Sequence, residues 1–279
     1  MTVREIVQRT SQPLTVDSLA EQLAACGLQP GQTVLVHSAL SSLGWVVGGP
    51  VAVIQALLRV VGPSGTVMMP TQTWKNLDPA SGAYQAEGIP EAWWQIVREH
   101  VPAYDPAITP SIGMGVIAEL FRTWPGAQRS AHPTRSFAAL GPHADLLTAE
   151  HPLTDVFGPA SPLGKLYELD GSILLIGLDH GSNTSLHLAE HLANYPGKRY
   201  VQESSAVLVD GRRQWLTYPS PDLMQDADFA AIGDAYEAAH GIARHTVGLA
   251  PVRFLRQRPL VDWAVVWMEQ HRDFRAATA

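Results

Sequence analysis

The chain has 279 residues, 46% hydrophobic and 16% charged, a globular composition long enough to bury a full core. Its formal charge of −7 is accompanied by no cluster of Lys and Arg, which argues against nucleic acid as a partner because phosphate binding needs a concentrated basic surface; an acidic balance suits a cationic ligand. A single cysteine, Cys26, excludes an internal disulfide and a cysteine-based metal cluster. No apolar run approaches the roughly 20 residues that cross a bilayer, and no signal-peptide core opens the chain, so a soluble cytoplasmic protein with no membrane partner is expected.

In chain order, Thr15 caps a helix through Leu19, Leu23 and Ala24 that Gly27 and Pro30 stop. The β-rich run Thr33 to His37 reads as a buried strand. A loop, Gly44 to Gly49, follows it and leads to Pro50 at the start of an apolar helix ending near Val61. Gly62-Pro63-Ser64-Gly65 turns that helix into a second strand, Thr66 to Met69. The next stretch, about 71–110, is irregular and rich in aromatic and turn residues, among them Trp74, Asp78, Tyr84, Trp93, Trp94, Tyr104 and Asp105. A long irregular stretch inside a compact enzyme is usually functional, so it reads as a substrate-covering segment.

A helix from Met114 to Trp124, a strand from Ser136 to Leu140 and a short helix from Ser161 to Leu169 come next. Ser172 to Gly177 is the clearest buried strand. Gly181-Ser182-Asn183 then opens a helix through Thr184, His187, Glu190 and Leu192. Val201–Val209 and Gln214–Tyr218, joined at Asp210-Gly211, read as a β-hairpin. Helices over Asp226–Ala239, ended by Gly241, and Val261–His271 complete the chain. Alternating strands and helices predict an α/β fold in one domain over 1–279: a mixed central sheet flanked by helices, with a smaller substrate-covering lobe and a C-terminal hairpin-and-helix portion over about 199–279.

The sharpest chemical signal is Thr184-x-x-His187-x-x-Glu190. Residues three apart share a helix face, so a hydroxyl, an imidazole and a carboxylate stack along one stripe at a helix start. That pattern suits a general base, His187, oriented by Glu190, with Thr184 placed to donate to a developing oxyanion or departing sulfur. The alternative is a polar stripe facing water. The motif follows the most buried strand, where open α/β sheets place ligands.

His180, in the preceding loop, is a competing base. The H-E-x-x-H order of a zincin helix does not occur among His180, His187, Glu190 and His191, since Leu188 rather than a glutamate follows His187, so no metal is expected. The hydroxyl-rich turn His37-Ser38-Ala39-Leu40-Ser41-Ser42-Leu43-Gly44 offers N–H and hydroxyl donors to phosphates or a pantetheine arm, or is a tight structural turn. It is neither a P-loop nor a Gly-x-Gly-x-x-Gly fingerprint, and the Gly-x-Ser-x-Gly elbow of serine hydrolases does not occur.

These segments together resemble the aminoglycoside 3-N-acetyltransferase family. The resemblance is carried by Leu35-Val36-His37-Ser38 to Gly44, Gly48-Gly49-Pro50, Met69-Pro70-Thr71, Asp105-Pro106, His132-Pro133, Ser161-Pro162-Leu163 and Thr184-Ser185-Leu186-His187-Leu188-Ala189-Glu190, in that order. It implies a fold distinct from the common N-acetyltransferase fold, acetyl-CoA as donor, and acetylation of the ring-position-3 amine of a deoxystreptamine aminoglycoside, conferring resistance.

It also implies His187 and Glu190 as the catalytic pair, with Thr184 beside them and His180 as a less certain participant. His37, Ser38, Ser41, Ser42, Gly44, Val46, Val47, Thr71, Ser111, Met114, Gly115 and Phe137 would line the CoA site. Ala39 stands where many relatives carry a small hydroxyl residue. Cationic amines call for carboxylates: the candidates are Asp78, Asp105, Asp179, Asp226 and Asp228, with Asp179 and Asp228 preferred and Trp74 as a wall. The same family acting on a different amine metabolite is the rival enzyme, a non-catalytic binder the rival of another kind, and the chain is expected as a monomer or homodimer.

Overall fold

The computed structural model describes residues 2–81, 88–223 and 226–275; Tyr84 lies outside them. The described helices are α1 (Val3–Arg9), α2 (Val16–Ala25), α3 (Pro50–Val61), α4 (Trp94–His100), α5 (Gly115–Phe121), α6 (Ala144–Thr148), α7 (Pro162–Glu168), α8 (Ser185–Leu192), α9 (Phe229–His240) and α10 (Gln257–His271). The strands are β1 (Thr33–Ser38), β2 (Thr66–Pro70), β3 (Gln128–Arg129), β4 (Phe137–Leu140), β5 (Ser172–Ile176), β6 (Tyr200–Val209), β7 (Arg212–Pro221), β8 (Arg244–Val247) and β9 (Ala250–Arg256).

Seven strands form one mixed sheet in the order β3-β4-β2-β1-β5-β9-β8. β1 pairs in parallel with β2 and β5 at its centre, and β4 and β9 run antiparallel outside them. The three central strands read as unbroken apolar runs because both faces are covered. Val34, Val36, Val67, Met69, Leu174 and Ile176 point to one layer, with α2, α3 and α5. Leu35, Met68, Ile173 and Leu175 point to the other, with α6 to α10. Burying each such side chain is worth roughly 1.5–3 kcal/mol, so this alternation specifies the register of the whole sheet.

Local chemistry sets most boundaries. The Thr15 hydroxyl accepts from Ser18 N–H and the Ser18 hydroxyl accepts from Thr15 N–H, a reciprocal cap that starts α2, while Leu19 and Leu23 bury one face. Pro50 occupies the first turn of α3, where its missing N–H costs nothing. Asp210 and Gly211, at φ 50° and 72°, make the two-residue turn of the β6–β7 hairpin, whose strands run the full ten residues each. Cys26, at the end of α2, is buried, and burial raises its thiol pKa. No described helix is long and apolar enough to cross a membrane.

The irregular stretch and the hairpin form one lobe. Asp78 N–H and Tyr104 N–H donate to the carbonyls of Ser204 and Ala206 on β6, and Arg213 on β7 donates to the carbonyls of Val101 and Arg98. α4 inside this stretch is an addition to the sequence reading; none of its side chains is buried, so it carried no strong apolar period. β8 and β9 are additions too. Their run contains Pro251, Arg253 and Arg256 and lacks apolar continuity, although Pro251 sits near a strand start where a ladder tolerates it.

Besides His180, three described histidines are packed inside: His37, His132 and His151. Burial pushes His37 and His151 down to about 3 and His132 well below its ordinary value, so all three fold neutral. His151 Nε2–H donates to the Val156 carbonyl while Nδ1 accepts from the Ser130 hydroxyl. The unfolded chain therefore binds more protons than the folded one as pH falls from about 6.5 toward 3, and each histidine withdraws up to about 1.4 kcal/mol of stability per pH unit. Urea unfolding midpoints should accordingly drop between pH 6.5 and 5, above the carboxylate range; a flat midpoint across that interval would contradict neutral burial.

Candidate active site

A groove of about 770 Å³ opens at the carboxyl ends of the three parallel strands, the place where α/β sheets bind ligands. β1 delivers His37 and Ser38, and the turn after it adds Ser41, Gly44, Trp45 and Val46. β2 delivers Pro70 and leads to Gln72 and Trp74. Gly113, Met114 and Gly115 enter from the start of α5. β5 leads through Leu178, Gly181, Ser182 and Asn183 to Thr184 and His187, and Asp226 and Phe229 close the remaining side.

His187 and Glu190 stand one turn apart on α8, and Nδ1 of the imidazole lies 2.9 Å from Oε2 of the carboxylate. A carboxylate only accepts, so Nδ1 carries a proton, and Nε2 is the nitrogen that can offer a lone pair when the ring is neutral. The ring stacks on Phe157, with centroids 4.9 Å apart and planes 11° apart, and meets Phe229 edge-on at 4.7 Å. These apolar plates and the carboxylate hold the imidazole in one orientation at the groove. Thr184 is the residue before α8; its hydroxyl lies 3.2 Å from His37 Nε2 and makes no cap bond to its own helix.

Glu190 is buried with its second oxygen 2.8 Å from Arg272 Nη1. Arg272 follows α10 and grips Asp228 with two further nitrogens, at 2.6 and 2.9 Å. This arginine was absent from the sequence reading. It is 82 residues from Glu190, and an arginine after a C-terminal helix carries no local signal of such a contact.

Several expected site residues are displaced from the groove. His180 is wholly buried: Nε2–H donates to Glu237 at 2.9 Å, Nδ1 accepts from Asn183 at 3.2 Å, and a Cβ on Gly233 would lie 1.9 Å from its ring. Both nitrogens are engaged, so it braces the Asn183 loop and is no base. Burial lowers its pKa despite the Glu237 partner. Asp228, one of the two preferred acceptor carboxylates, is taken by Arg272. Asp179, the other, accepts from Gly181 N–H. Asp105 caps Ala107 N–H, and Asp78 pairs with Arg98 at 2.8 Å. Asp226, two residues before Asp228, is the carboxylate that lines the groove among the described residues, and it precedes α9, which starts at Phe229 rather than at Asp226.

Of the residues expected at a CoA site, Phe137 is fully buried in the core against Phe157. Thr71 is buried, its hydroxyl near Ser136 and Arg129. Ser111 donates to Glu119, Ser42 to the Ala39 carbonyl, and Val47 turns outward. These five do not line the groove, whereas His37, Ser38, Ser41, Gly44, Val46, Met114 and Gly115 do. Trp74 lines it with one face of its ring region backed by Arg135, whose guanidinium lies 4.1 Å from the ring centroid. No group of three or more metal-ligating side chains occurs among the described residues.

Comparison with known proteins gives a consistent match. The family model described as aminoglycoside 3-N-acetyltransferase matches residues 35–269. The chain is 42% identical to the aminoglycoside N(3')-acetyltransferase-like protein YokD of Bacillus subtilis, over 95% of this chain and 96% of that one. The crystal structure of YokD superposes with a TM-score of 0.92, covering 99% of each chain. This chain is also 41% identical to aminoglycoside N(3)-acetyltransferase VII of Streptomyces paromomycinus, over 95% of each. A binary complex of AAC-IIIb with CoASH, 34% identical, superposes with a TM-score of 0.83 over 94% of this chain and 98% of that one.

Proposed function

Given that the chain belongs to the aminoglycoside 3-N-acetyltransferase family, we propose that it moves the acetyl group of acetyl-CoA directly onto the 3-amine of a deoxystreptamine aminoglycoside, with His187 as general base. The observation that carries the reading is the His187–Glu190 pair, 2.9 Å apart at the wall of a groove large enough for two substrates.

The chemistry is constrained by charge. An aminoglycoside amine is mostly protonated at neutral pH, and only its neutral form attacks a thioester. In a ternary complex the amine nitrogen attacks the carbonyl carbon and its proton passes to Nε2 of His187. The C–N bond forms, the C–S bond breaks, and the CoA sulfur leaves as thiolate, which takes up the proton that His187 accepted. Glu190 holds Nδ1–H and stabilises the imidazolium. The neutral His37 donates through Nε2–H to the Thr184 oxygen, which frees the Thr184 proton for the carbonyl oxygen as it gains charge.

The donor site is the end of the groove with Ser38, Ser41, Gly44, Val46, Met114 and Gly115, where small residues and an apolar wall suit an extended pantetheine arm. The acceptor lies by Trp74 and Asp226. Resistance in the cytoplasm, where acetyl-CoA is at hand, follows from this activity.

A panel of aminoglycosides, assayed with acetyl-CoA and a thiol-trapping reagent, tests the reading. CoA release is expected with compounds carrying the 3-amine, with the acetyl group found on that nitrogen by NMR; no release with any of them would reject the antibiotic assignment in favour of another amine acceptor. Asp226→Asn should raise the aminoglycoside KM about tenfold and leave kcat within about twofold, the signature of a lost ground-state contact. An unchanged KM would remove Asp226 from the acceptor site.

A further inference from the structure

Resting on that reading of His187, we infer that Arg272 is a positioning residue of the active site: it divides its charge between Glu190 and Asp228 and thereby sets the pH at which His187 becomes a usable base.

The geometry is specific. Glu190 touches His187 with one oxygen at 2.9 Å and Arg272 with the other at 2.8 Å. Arg272 spends Nε and Nη2 on Asp228 and turns Nη1 to both Glu190 and the Tyr195 hydroxyl, the latter at 3.2 Å. The guanidinium is enclosed by rings, lying 5.0, 5.7 and 5.5 Å from the centroids of Tyr195, Phe229 and Phe274. The ion pair is thus shielded from solvent, where charge acts strongly.

Other described groups lie around it. On the groove side of α8 stand Thr184, its partner His37 and the carboxylate of Asp226. Lys198 directs its ammonium to the carbonyls of His191 and Ala193, and His191 faces Asp155 at 3.4 Å. Burial and the Glu190 charge push the Tyr195 hydroxyl up to about 12, so it stays protonated. The charges in contact with Glu190 are therefore His187 on one side and Arg272, tied to Asp228, on the other.

A lone Glu190 would hold a proton on His187 and block it as an acceptor. Arg272 draws off part of that negative charge, and Asp228 limits how much. Removing the arginine should move the acid limb of the kcat–pH profile upward, and removing Asp228 should move it the other way.

The experiment measures kcat and KM between pH 5.5 and 9 for Arg272→Gln, Arg272→Lys, Asp228→Asn and His187→Ala. Arg272→Gln should lower kcat by up to about tenfold on the acid side with both KM values within about threefold, shift the acid limb up by about one pH unit, and recover activity at pH 9. Arg272→Lys should restore the limb to within a few tenths of a unit, and Asp228→Asn should shift it down by about half a unit. An unmoved limb in Arg272→Gln and Asp228→Asn, with activity scaled down equally at every pH, would reduce Arg272 to scaffold and overturn the inference. If Arg272→Gln does not fold, Asp228→Asn decides it: a limb shifted down by about half a unit supports the inference, and an unshifted limb rejects it. If instead His187→Ala keeps wild-type turnover, the base assignment itself fails, a result distinct from an unmoved limb in an enzyme that His187→Ala inactivates.

Discussion

Replacing His187 by Ala is expected to lower kcat by about 10²–10⁴-fold, the usual loss for a general base that accepts a proton in the transition state. Acetyl-CoA affinity, read by calorimetry, should stay within about threefold, because the end of the groove proposed for the donor is lined by β1, the turn after it and the start of α5 rather than by α8. The two readouts together identify a lost proton acceptor. Full turnover in the variant would exclude His187 as the base, and a matching collapse of CoA binding would point to a disrupted groove instead. Glu190→Gln should be milder, since an amide oxygen can still accept from Nδ1–H while the stabilising charge is lost. A harmless Glu190→Gln would remove its orienting role.

Phe157→Ala should produce the largest stability loss, about 3–5 kcal/mol for removing a fully buried ring. For a chain of this size that corresponds to a fall in thermal midpoint of roughly 10 °C, taking about 2–4 °C per kcal/mol. The ring is flanked by Phe137 at 6.1 Å and His187 at 4.9 Å, so its removal opens a cavity directly beneath the imidazole. Phe157→Leu should recover most of the stability and still turn over more slowly than wild type, since a branched aliphatic side chain fills volume without offering a flat plate. A midpoint unchanged in Phe157→Ala would mean that the site collapses without cost and that the plate does not define the ring orientation.

How far local sequence could be read depended on the kind of signal. The Thr15 cap, Pro50 at the start of α3 and the Asp210-Gly211 turn act between near neighbours, and each stands at the expected place. The same holds for the stripe on α8, because residues 187 and 190 are brought together by the helix alone. β8 and β9 went unread because their partly polar strands owe their place in the sheet to partners far along the chain, β5 among them. The lobe was read only by half: the irregular stretch drew attention through its aromatics, yet its backbone is held by the hairpin more than a hundred residues later.

Carboxylate assignment shows the limit most plainly. Asp179, Asp226 and Asp228 are equivalent as letters, and nothing nearby distinguishes them. In the folded chain Asp179 caps a turn, Asp228 is claimed by Arg272 and Asp226 faces the groove. His180 likewise differs from His187 only through its surroundings: one ring is walled in by Gly233, Glu237 and Asn183, the other borders open space.

Periodicity, caps, turns and the Thr184–His187–Glu190 spacing were thus written into the chain, since they involve residues a few positions apart whose geometry the backbone imposes. The order of seven strands, the Arg272 brace and the choice among like residues came only with packing. Those depend on contacts between distant segments, where each group's exposure and charge partners, rather than its identity, settle what it can do.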